Sequence, residues 1–364
     1  MARKKKFSKG LTVFLAIVCF VVGAAGGFYG YFKFTLPNDS DVYVSGDLVI
    51  NFIELGNKYT GDCTYIKAGD NDILIDAGSK TASVPTIDAF LSENVSDGTL
   101  EYVIVTHAHE DHYAGFATPE DADSIFDLYE CEVIIDFSQI TPEKADTKMY
   151  KNYIRERDAE IEAGAVHYTA MECITEGKKS FDLGSGIELE ILDSYFYYNV
   201  ASNENDHSVC AMINQGDRHF LFTGDLEKEG EDKLVEMNDL PEITLYKAGH
   251  HGSKTSSHNA LLEVINPEIV CVCCCAGSPE YTKKTENQFP TQEFIDRIAP
   301  YTEKVYVTTL CVDYENGGFK SMNGNIKVTS GANGVTVKCS NNNILLKDTD
   351  WFKSSRNCPE VWKN

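Results

Sequence analysis

The stretch VTHAHEDHYAG, Val105–Gly115, places three histidines and two acids in six consecutive positions, just after the apolar run YVIV. His107 and His109 lie two positions apart, and Asp111 and His112 follow, a spacing that suits a loop better than one helical face. Imidazole and carboxylate ligands suit zinc, and also manganese or iron. The two ligand pairs predict two adjacent metal ions, with His107 and His109 on one and Asp111 and His112 on the other. A solvated surface turn is disfavoured because the cluster holds three of the nine histidines of the chain.

The rest of the chain repeats one pattern, a short apolar strand that ends in polar or glycine residues. Examples are DILIDAGS, HFLFTGDL and ITLYKAGHHGS, and helix-like stretches such as TQEFIDRIAPY separate several of the strands. Strands mixed with helices predict an α/β fold. Because functional loops follow the carboxyl ends of such strands, the pattern predicts one site built from several loops. The simplest division is one catalytic domain over residues 44–364.

Four motifs in order resemble those of the metallo-β-lactamase superfamily. HAHEDH matches the pattern HxHxDH, ILIDAGS resembles the early Asp-Gly motif, FLFTGDLE resembles the motif of the bridging aspartate, and YKAGHHGSKTSS resembles the late histidine motif. The resemblance implies an αββα sandwich, with Asp76 structural near the site and Asp225 bridging the two metals. It also implies that His250 or His251 is a metal ligand.

Within that superfamily, TGD followed by HHGS, TS and NQFP resembles the branch of ComEC-type hydrolase domains and phosphorylcholine esterases. ComEC-type domains often place aspartate where His109 stands, which is a departure here. The middle histidine motif is less clear, since NENDHSVCAM offers Asn205, Asp206 or His207. We expect His207 as a ligand, with a polar loop residue as the alternative.

The resemblance assigns further roles at the site. We expect His250 to bind metal and His251 to face the substrate, where it steadies negative charge or donates a proton; the reverse assignment stays open. Asp111 is expected to double as the base that orients the attacking water. Ser253 and Thr255, with Lys254 between them, are expected to position an anion, although GSKTSS also reads as a turn and helix cap.

Two divalent metal ions, zinc with manganese as the alternative, imply hydrolysis by an activated water, without a serine or cysteine nucleophile. The branch resemblance favours a phosphoester, either a small phosphodiester or a phosphocholine-like ester. One alternative is a DNA-processing nuclease of a competence or uptake system. Another is a catalytically silent binding or sensory module, which the intact ligand motifs disfavour.

The chain begins with a basic segment, residues 1–10, with five Lys or Arg, followed by residues 11–32, which carry no charge. That length predicts a transmembrane helix, with a cleaved signal sequence as the alternative. Basic residues before the helix should stay in the cytoplasm. The chain is therefore expected to be a single-pass protein of the cell membrane, with a linker over residues 33–43 and an extracellular catalytic domain, or to be secreted after cleavage.

The net charge is −24, and beyond the first ten residues 27 basic residues stand against 56 acidic ones. Such a field repels phosphate backbones, so long nucleic acid is a disfavoured partner. The charge instead favours a small-molecule or cell-envelope ester as the substrate.

The twelve cysteines do not form the pattern of a disulfide scaffold. EIVCVCCCAG, with Cys271 and Cys273–Cys275, predicts a buried strand in which cysteine acts as a small apolar residue. Disulfides stay open among a second set: Cys63, Cys131, Cys173, Cys210, Cys311, Cys339 and Cys358. His167, His219 and His258 are expected to be structural.

Overall fold

The computed structural model describes residues 48–363. The basic segment 1–10, the apolar segment 11–32, the linker and the start of the domain at residue 44 lie outside these residues. Over the described range, no helix has the length and apolar character needed to cross a membrane.

Sixteen strands follow one another along the described chain and divide between two sheets. They are β1 (Leu48–Phe52), β2 (Thr64–Ala68), β3 (Asn71–Ile75), β4 (Thr99–Val105), β5 (Glu130–Asp136), β6 (Val166–Thr169), β7 (Ser180–Asp182), β8 (Ile187–Ile191), β9 (Ala211–Gln215), β10 (Arg218–Phe222), β11 (Leu245–Lys247), β12 (Ile269–Ala276), β13 (Val305–Asp313), β14 (Gly318–Ser321), β15 (Ile326–Gly331) and β16 (Gly334–Cys339). One sheet has the order β16-β15-β1-β2-β3-β4-β5-β6, and the other has the order β14-β13-β12-β11-β10-β9-β8-β7.

Helices connect the strands that pair in parallel. The helices in the described range are α1 (Val84–Asn94), α2 (Glu110–Tyr113), α3 (Ile125–Leu128), α4 (Pro142–Ala145), α5 (Lys148–Ala163), α6 (Ala170–Thr175), α7 (Lys228–Met237), α8 (Asn259–Ile265), α9 (Gln292–Ile298) and α10 (Asp350–Ser355). The parallel series are β3 to β6 in the first sheet and β10 to β13 in the second. Parallel strands need crossover connections of this kind, as the α/β prediction requires.

Burial along β12 reveals the layers of the fold. Cys271 and Cys273 join the apolar cluster that contains residues of both sheets, while Val270 and Val272 join a second cluster with α7, α8 and α9. Because strand side chains alternate between faces, β12 packs on the other sheet on one side and on helices on the other. Phe52 of β1 and Phe222 of β10 meet across the sheets, with ring centroids 6.4 Å apart.

The predicted α/β architecture with two sheets is confirmed, and so is the buried strand of cysteines. Every cysteine in the described range is a free thiol, so none of the open disulfide pairings forms there. His167 is held by Asp136 at the end of β5, with His167 Nε2 2.9 Å from Asp136 Oδ1. That contact is the structural role expected for an isolated histidine.

Candidate metal centre

The candidate metal centre lies where loops from the two sheets meet. The loops that follow β3 and β4 carry Asp76 and the cluster 107–112, and the loops that follow β10 and β11 carry Asp225 and the histidine pair. Asp62 precedes β2, whose first residue pairs with the last residue of β3, so Asp62 reaches the same edge. Strand topology therefore brings together residues that are far apart in sequence.

Four side-chain atoms at this edge, from Asp111, His112, Asp225 and His251, lie very close to one another. His112 Nε2 lies 3.1 Å from Asp225 Oδ2 and 3.3 Å from His251 Nε2. His251 Nε2 lies 3.2 Å from the same Asp225 oxygen and 3.3 Å from Asp111 Oδ2. A tetrahedral zinc ion with bonds of about 2.0 Å separates its ligand atoms by about 3.3 Å. Four of the six separations among these atoms thus have the length of a tetrahedron's edge, and Asp111, His112, Asp225 and His251 are called the tetrahedral group below.

Asp62 lies on the other side of the two histidines. By proximity alone, Asp62, His112, Asp225 and His251 form a buried group that could hold a metal ion, with ligand atoms all within 4.8 Å of one another. However, the Asp62 carboxylate faces the Nδ1 atoms, at 3.1 Å from His251 and 3.7 Å from His112. Metal-ligating histidines commonly direct their second nitrogen to a carboxylate or carbonyl. These distances favour Asp62 as an outer partner of the histidines and Asp111 as the inner ligand.

Further outer contacts fix the orientation of both imidazoles. His112 Nδ1 lies 2.7 Å from Asp76 Oδ2, and that carboxylate also accepts hydrogen bonds from the Thr106 backbone N–H and hydroxyl, each at 2.8 Å. His251 Nδ1 donates to the carbonyl oxygen of Cys273 at 2.9 Å. Both rings therefore turn Nε2 toward Asp225. The contact between Asp76 and His112 Nδ1 is the structural role that the motif resemblance predicts for Asp76.

A buried carboxylate oxygen provides a direct test of whether a cation fits. Asp225 Oδ1 has no hydrogen-bond partner in the part of the chain that the structure describes. A buried carboxylate without compensation is costly. Nitrogen and oxygen donors are also the set that zinc accepts. The residues at this edge therefore fit a divalent cation.

His107 and His109 form a neighbouring pair of donors. His107 Nε2 lies 3.0 Å from His109 Nδ1, and the His107 ring lies 4.2 Å from the His112 ring. The Thr106 and Ser208 hydroxyls lie 3.1 Å and 3.4 Å from His107 Nδ1. The two nitrogens thus lie beside the first group, and the second of the two adjacent ions stays a prediction.

The electrostatics of the two groups differ. Burial opposes protonation of His112, but Asp225, Asp76 and Asp62 outweigh it and raise its pKa to about 10. Burial also opposes charge on Asp225, and the surrounding histidines, with His112 first, hold the pKa of that carboxyl well below its usual range. His107 behaves in the opposite way, because burial and then His112 lower its pKa well below the ordinary value. Without a metal ion, protons therefore compensate the buried carboxylates, and a cation would compete for the same atoms.

Lys247, the last residue of β11, adds a fixed positive charge behind the cluster. Its side chain is 3% exposed, and its ammonium contacts the Asp62 carboxylate. The same ammonium lies 3.8 Å from Asp225 Oδ1 and 3.4 Å from the carbonyl oxygen of Gly224. Asp62 thus has a permanent counter-ion, which favours its outer position.

The histidine pair separates into two environments. Both residues have left-handed backbones, with φ of 45° for His250 and 54° for His251, so the turn sends the adjacent side chains in different directions. His251 is fully buried in the tetrahedral group, whereas His250 Nε2 lies 3.8 Å from Asp225 Oδ2. His250 Nδ1 contacts the Thr255 hydroxyl at 2.9 Å and Glu227 Oε1 at 3.4 Å. The geometry favours the assignment that the sequence left open, with His251 inside the ligand group.

The segment GSKTSS makes the bonds of a turn. Ser253 and Thr255 hydroxyls lie 3.0 Å apart, and Ser253 Oγ also accepts a hydrogen bond from the Thr255 backbone N–H at 3.2 Å. Lys254 extends outward, and its ammonium donates to Asn287 Oδ1 at 3.0 Å. The alternative of a turn accounts for these bonds, and an anion-binding role for the segment stays a prediction.

His207 is not brought into the cluster. Its Nε2 accepts a hydrogen bond from the Ala201 backbone N–H at 2.9 Å, and its Nδ1 lies 3.5 Å from Glu204 Oε1. Both ring nitrogens therefore face the loop that contains the residue. The Asn205 side-chain amide instead donates to Glu227 Oε1 at 3.0 Å, and Asp206 Oδ1 accepts a hydrogen bond from the Glu227 backbone N–H at 2.9 Å.

Sequence reasoning missed an aromatic wall beside the site. Tyr281, which is 55% exposed, donates a hydrogen bond to Asp111 Oδ2 at 2.5 Å. The Phe289 ring lies 5.7 Å from Tyr281, 5.7 Å from His250 and 5.9 Å from His251. The loop after β12 therefore supplies one side of the opening. Its position at the carboxyl end of a parallel strand is a sequence signal that could have indicated its place at the site. Asp62 and Lys247 were also missed, although Lys247 stands just before the late histidine motif.

Comparison with known proteins shows similarity to one protein family and to parts of two longer proteins. The model of the metallo-beta-lactamase superfamily matches residues 56–118. The chain is 28% identical over 126 residues to Recombination protein 2 of Haemophilus influenzae, covering 34% of this chain and 14% of that protein. It is 34% identical over 73 residues to ComE operon protein 3 of Bacillus subtilis, covering 20% of this chain and 9% of that protein. The chain thus spans only a small part of these relatives.

Among solved structures, the metallo-beta-lactamase fold protein YhfI from Bacillus subtilis is similar, with a TM-score of 0.42 and 10% identity. The similarity covers 75% of this chain and 99% of that one.

Proposed function

We propose that the chain is a metal-dependent hydrolase of the metallo-β-lactamase superfamily, whose model matches residues 56–118, and that it hydrolyses a phosphoester, in the form of a small phosphodiester or a phosphocholine-like ester. The observation that carries the proposal is the tetrahedral group of nitrogen and oxygen atoms at separations of 3.1–3.3 Å. Two divalent ions, zinc or manganese, would supply electrophilic activation of the attacking water and of the phosphoryl oxygen.

The proposed ligands divide between two adjacent positions. Asp111, His112, Asp225 and His251 would hold one ion, and His107 and His109 would hold the other. Asp225 would serve both ions, as the resemblance of its motif implies, and its Oδ1 has no hydrogen-bond partner among the described residues. His207 takes no part in this ligand set, since both of its nitrogens face its own loop.

His250 is the proposed proton donor to the leaving group. Burial opposes charge on Glu227, but contacts with His250, Asn205 and Thr255 together outweigh it and lower the pKa of the Glu227 carboxyl. A charged carboxylate 3.4 Å from His250 Nδ1 orients the ring and leaves Nε2 directed at the site. The His250 side chain is 20% exposed, so a bound substrate can reach it.

The thiols near the site are poor nucleophiles, which supports attack by water. Cys273 and Cys274 are buried in β12, and burial raises the pKa of Cys274 to about 12. A thiol with such a pKa stays protonated at neutral pH. No covalent intermediate on a cysteine is therefore required.

The test is turnover of a substrate panel by full-length, metal-loaded protein. The panel contains bis-p-nitrophenyl phosphate, p-nitrophenyl phosphorylcholine, single-stranded DNA and a β-lactam. We expect one of the two small phosphoesters to be cleaved fastest, and we expect His250→Asn to lower kcat more than metal content. Hydrolysis of the β-lactam alone would contradict the proposal, and absence of turnover of every substrate by the metal-loaded wild type would favour a silent binding or sensory module.

A second candidate function is DNA processing, which the names Recombination protein 2 and ComE operon protein 3 favour for two partial relatives. The excess of acidic residues opposes it, since a long polyanion would be repelled at every encounter. Salt separates the two functions. Cleavage of single-stranded DNA that exceeds small-ester cleavage at low salt, and that falls steeply as salt rises, would favour the nuclease.

The proposed location is the outer face of the cell membrane, with the basic segment 1–10 in the cytoplasm and residues 11–32 as the anchor. The support is the order of charge and apolar residues in the sequence. Protease added to intact cells should digest the catalytic domain. Protection of the domain from protease, when the same protease digests it after lysis, would contradict this orientation.

A further inference from the structure

The loop after β12 brings an exposed tyrosine into contact with one of the proposed metal ligands. The Tyr281 side chain is 55% exposed, yet its hydroxyl donates a hydrogen bond to Asp111 Oδ2 at 2.5 Å. The same carboxylate oxygen lies 3.3 Å from His251 Nε2, so it is the Asp111 atom that belongs to the tetrahedral group. Tyr281 therefore contacts the proposed ligand at its ligand atom.

Asp111 depends on this contact more than the other members of the tetrahedral group depend on any single partner. The His112 ring, for example, is held at Nδ1 by buried Asp76, and the His251 ring is held at Nδ1 by the Cys273 carbonyl oxygen. Across residues 48–363, by contrast, the Tyr281 hydroxyl makes the only hydrogen bond to the Asp111 carboxylate, to which His251 adds an ion-pair contact. The orientation of the Asp111 side chain therefore rests on the phenol.

A lysine joins the two residues that precede Asp111 and Tyr281. The Lys80 ammonium donates to Glu110 Oε2 at 2.6 Å and lies 3.7 Å from Glu280 Oε1. Glu110 is the neighbour of Asp111 in the chain, and Glu280 is the neighbour of Tyr281. The ion pairs of Lys80 and the bond between Tyr281 and Asp111 thus connect the same two segments, which places the phenol beside the carboxylate.

Further contacts hold the loop without the help of the Tyr281 hydroxyl. Glu280 Oε2 accepts a hydrogen bond from the Thr60 backbone N–H at 2.8 Å. The Gly277 backbone N–H donates to the Phe289 carbonyl oxygen at 2.8 Å, and the Phe289 ring lies 5.7 Å from the Tyr281 ring. Loss of the hydroxyl alone would therefore remove the bond to the carboxylate and leave the loop in place.

On the basis of the proposed function, we infer that Tyr281 is a positioning residue, whose hydroxyl holds the Asp111 carboxylate in the orientation that binds the metal ion. Carboxylates that ligate metal ions are themselves commonly hydrogen-bonded by outer partners. A carboxylate oxygen has two lone pairs, so Asp111 Oδ2 can accept from the phenol and still act as a ligand. Without the hydroxyl, the partly exposed Asp111 side chain loses its one hydrogen bond in the described range and can adopt other rotamers.

The test is the zinc affinity of the full-length protein, measured by competition with a chromophoric chelator. Tyr281→Phe should weaken zinc binding by about tenfold to a hundredfold, the range for loss of an outer partner. The matched control is Tyr198→Phe, because Tyr198 is 41% exposed and donates to an aspartate, Asp193 Oδ1, at 3.0 Å in the loop after β8. This control should keep the zinc affinity of the wild type.

Two further readouts separate a positioning role from a structural one. The visible absorption of bound cobalt(II) depends on the arrangement of its ligands, so the spectrum of cobalt-loaded Tyr281→Phe should differ from that of the wild type, and that of Tyr198→Phe should not. The Tm of the metal-free protein should fall by a similar amount in the two variants, since each loses one hydrogen bond to an aspartate.

Equal zinc affinity in the wild type and Tyr281→Phe, or an equal loss in Tyr198→Phe, would overturn the inference. Unchanged zinc affinity with lower turnover would also overturn it, because the hydroxyl would then act on the substrate and not through Asp111. If the wild type binds zinc but cleaves no phosphoester, the proposed function fails, yet the zinc affinities still decide the role of Tyr281. A wild type that binds no zinc would overturn both.

Discussion

Replacing Asp76 by asparagine tests whether the outer carboxylates set the metal affinity of the centre. Asp76 has a φ of 59°, in the left-handed region that asparagine and aspartate tolerate best, so the backbone can keep its shape. The side-chain oxygen of the new asparagine can still accept the hydrogen bond from the Thr106 backbone N–H, which Asp76 receives at 2.8 Å. The amide nitrogen of the asparagine would then face His112 Nδ1, at the place of an oxygen that lies 2.7 Å from that ring atom.

The expected magnitude follows from the tautomer of His112. An amide that donates to Nδ1 puts the imidazole proton on Nε2, the atom directed at Asp225 and His251. A protonated Nε2 cannot bind a metal ion, so binding has to break that hydrogen bond first. Loss of an outer carboxylate partner typically costs tenfold to a hundredfold in metal affinity, about 1.4–2.7 kcal/mol.

The assay is competition for zinc between the full-length protein and a chromophoric chelator. The matched control is Asp136→Asn, which alters another buried aspartate that contacts a histidine, with His167 Nε2 at 2.9 Å and no contact to the metal centre among the described residues. This control loses stability, because Asp136 also binds Arg157 and Tyr153, but its folded form should keep the wild-type affinity. Equal zinc affinity in wild type and Asp76→Asn, or an equal loss in both variants, would refute the reasoning.

Three further predictions concern protons, the buried lysine and the thiols. Asp225, Asp76 and Asp62 outweigh burial and raise the pKa of His112 to about 10, so a metal ion has to displace a proton at neutral pH. Apparent zinc affinity should therefore rise with each increase in pH from about 6 to about 8. A flat pH profile of zinc affinity, measured by chelator competition, would contradict this prediction. Lys247→Met removes the counter-ion of buried Asp62 and should lower the free energy of unfolding of the metal-free protein by about 3–5 kcal/mol in urea titrations, whereas no loss would mean that the pair is not formed. All cysteines in the described range are free, so a reductant should leave Tm unchanged, and a fall of several degrees would reveal a disulfide.

The fold and the centre of the site could be predicted from the sequence because their signals are local. Three histidines and two acids in six positions identify HAHEDH without any tertiary information. The run EIVCVCCCAG is apolar at nearly every strand position, and β12 is indeed buried along its whole length. Asp225 was found from its motif and lies in the centre of the buried group.

The remaining residues depend on geometry that no local pattern encodes. Asp62 reaches the site only because the start of β2 lies beside the end of β3, which is a matter of strand pairing. His250 and His251 are adjacent in sequence, and two left-handed residues decide which ring points inward. The direction of His207 is set by hydrogen bonds within its own loop. For these three histidines, the residue type indicated a possible metal ligand, but the backbone conformation decided whether the ring reaches the site.

The most direct test of the central claim is the metal content of full-length wild type and Asp225→Ala, measured by mass spectrometry alongside phosphoester hydrolysis. Asp225 Oδ2 lies within 3.2 Å of the Nε2 atoms of His112 and His251, and Asp225 Oδ1 is buried without a hydrogen-bond partner in the described range. We expect about two metal ions per wild-type chain and loss of most of the metal and the activity in the variant, because one carboxylate serves both positions. An Asp225→Ala protein that keeps two metal ions and full activity would contradict the account.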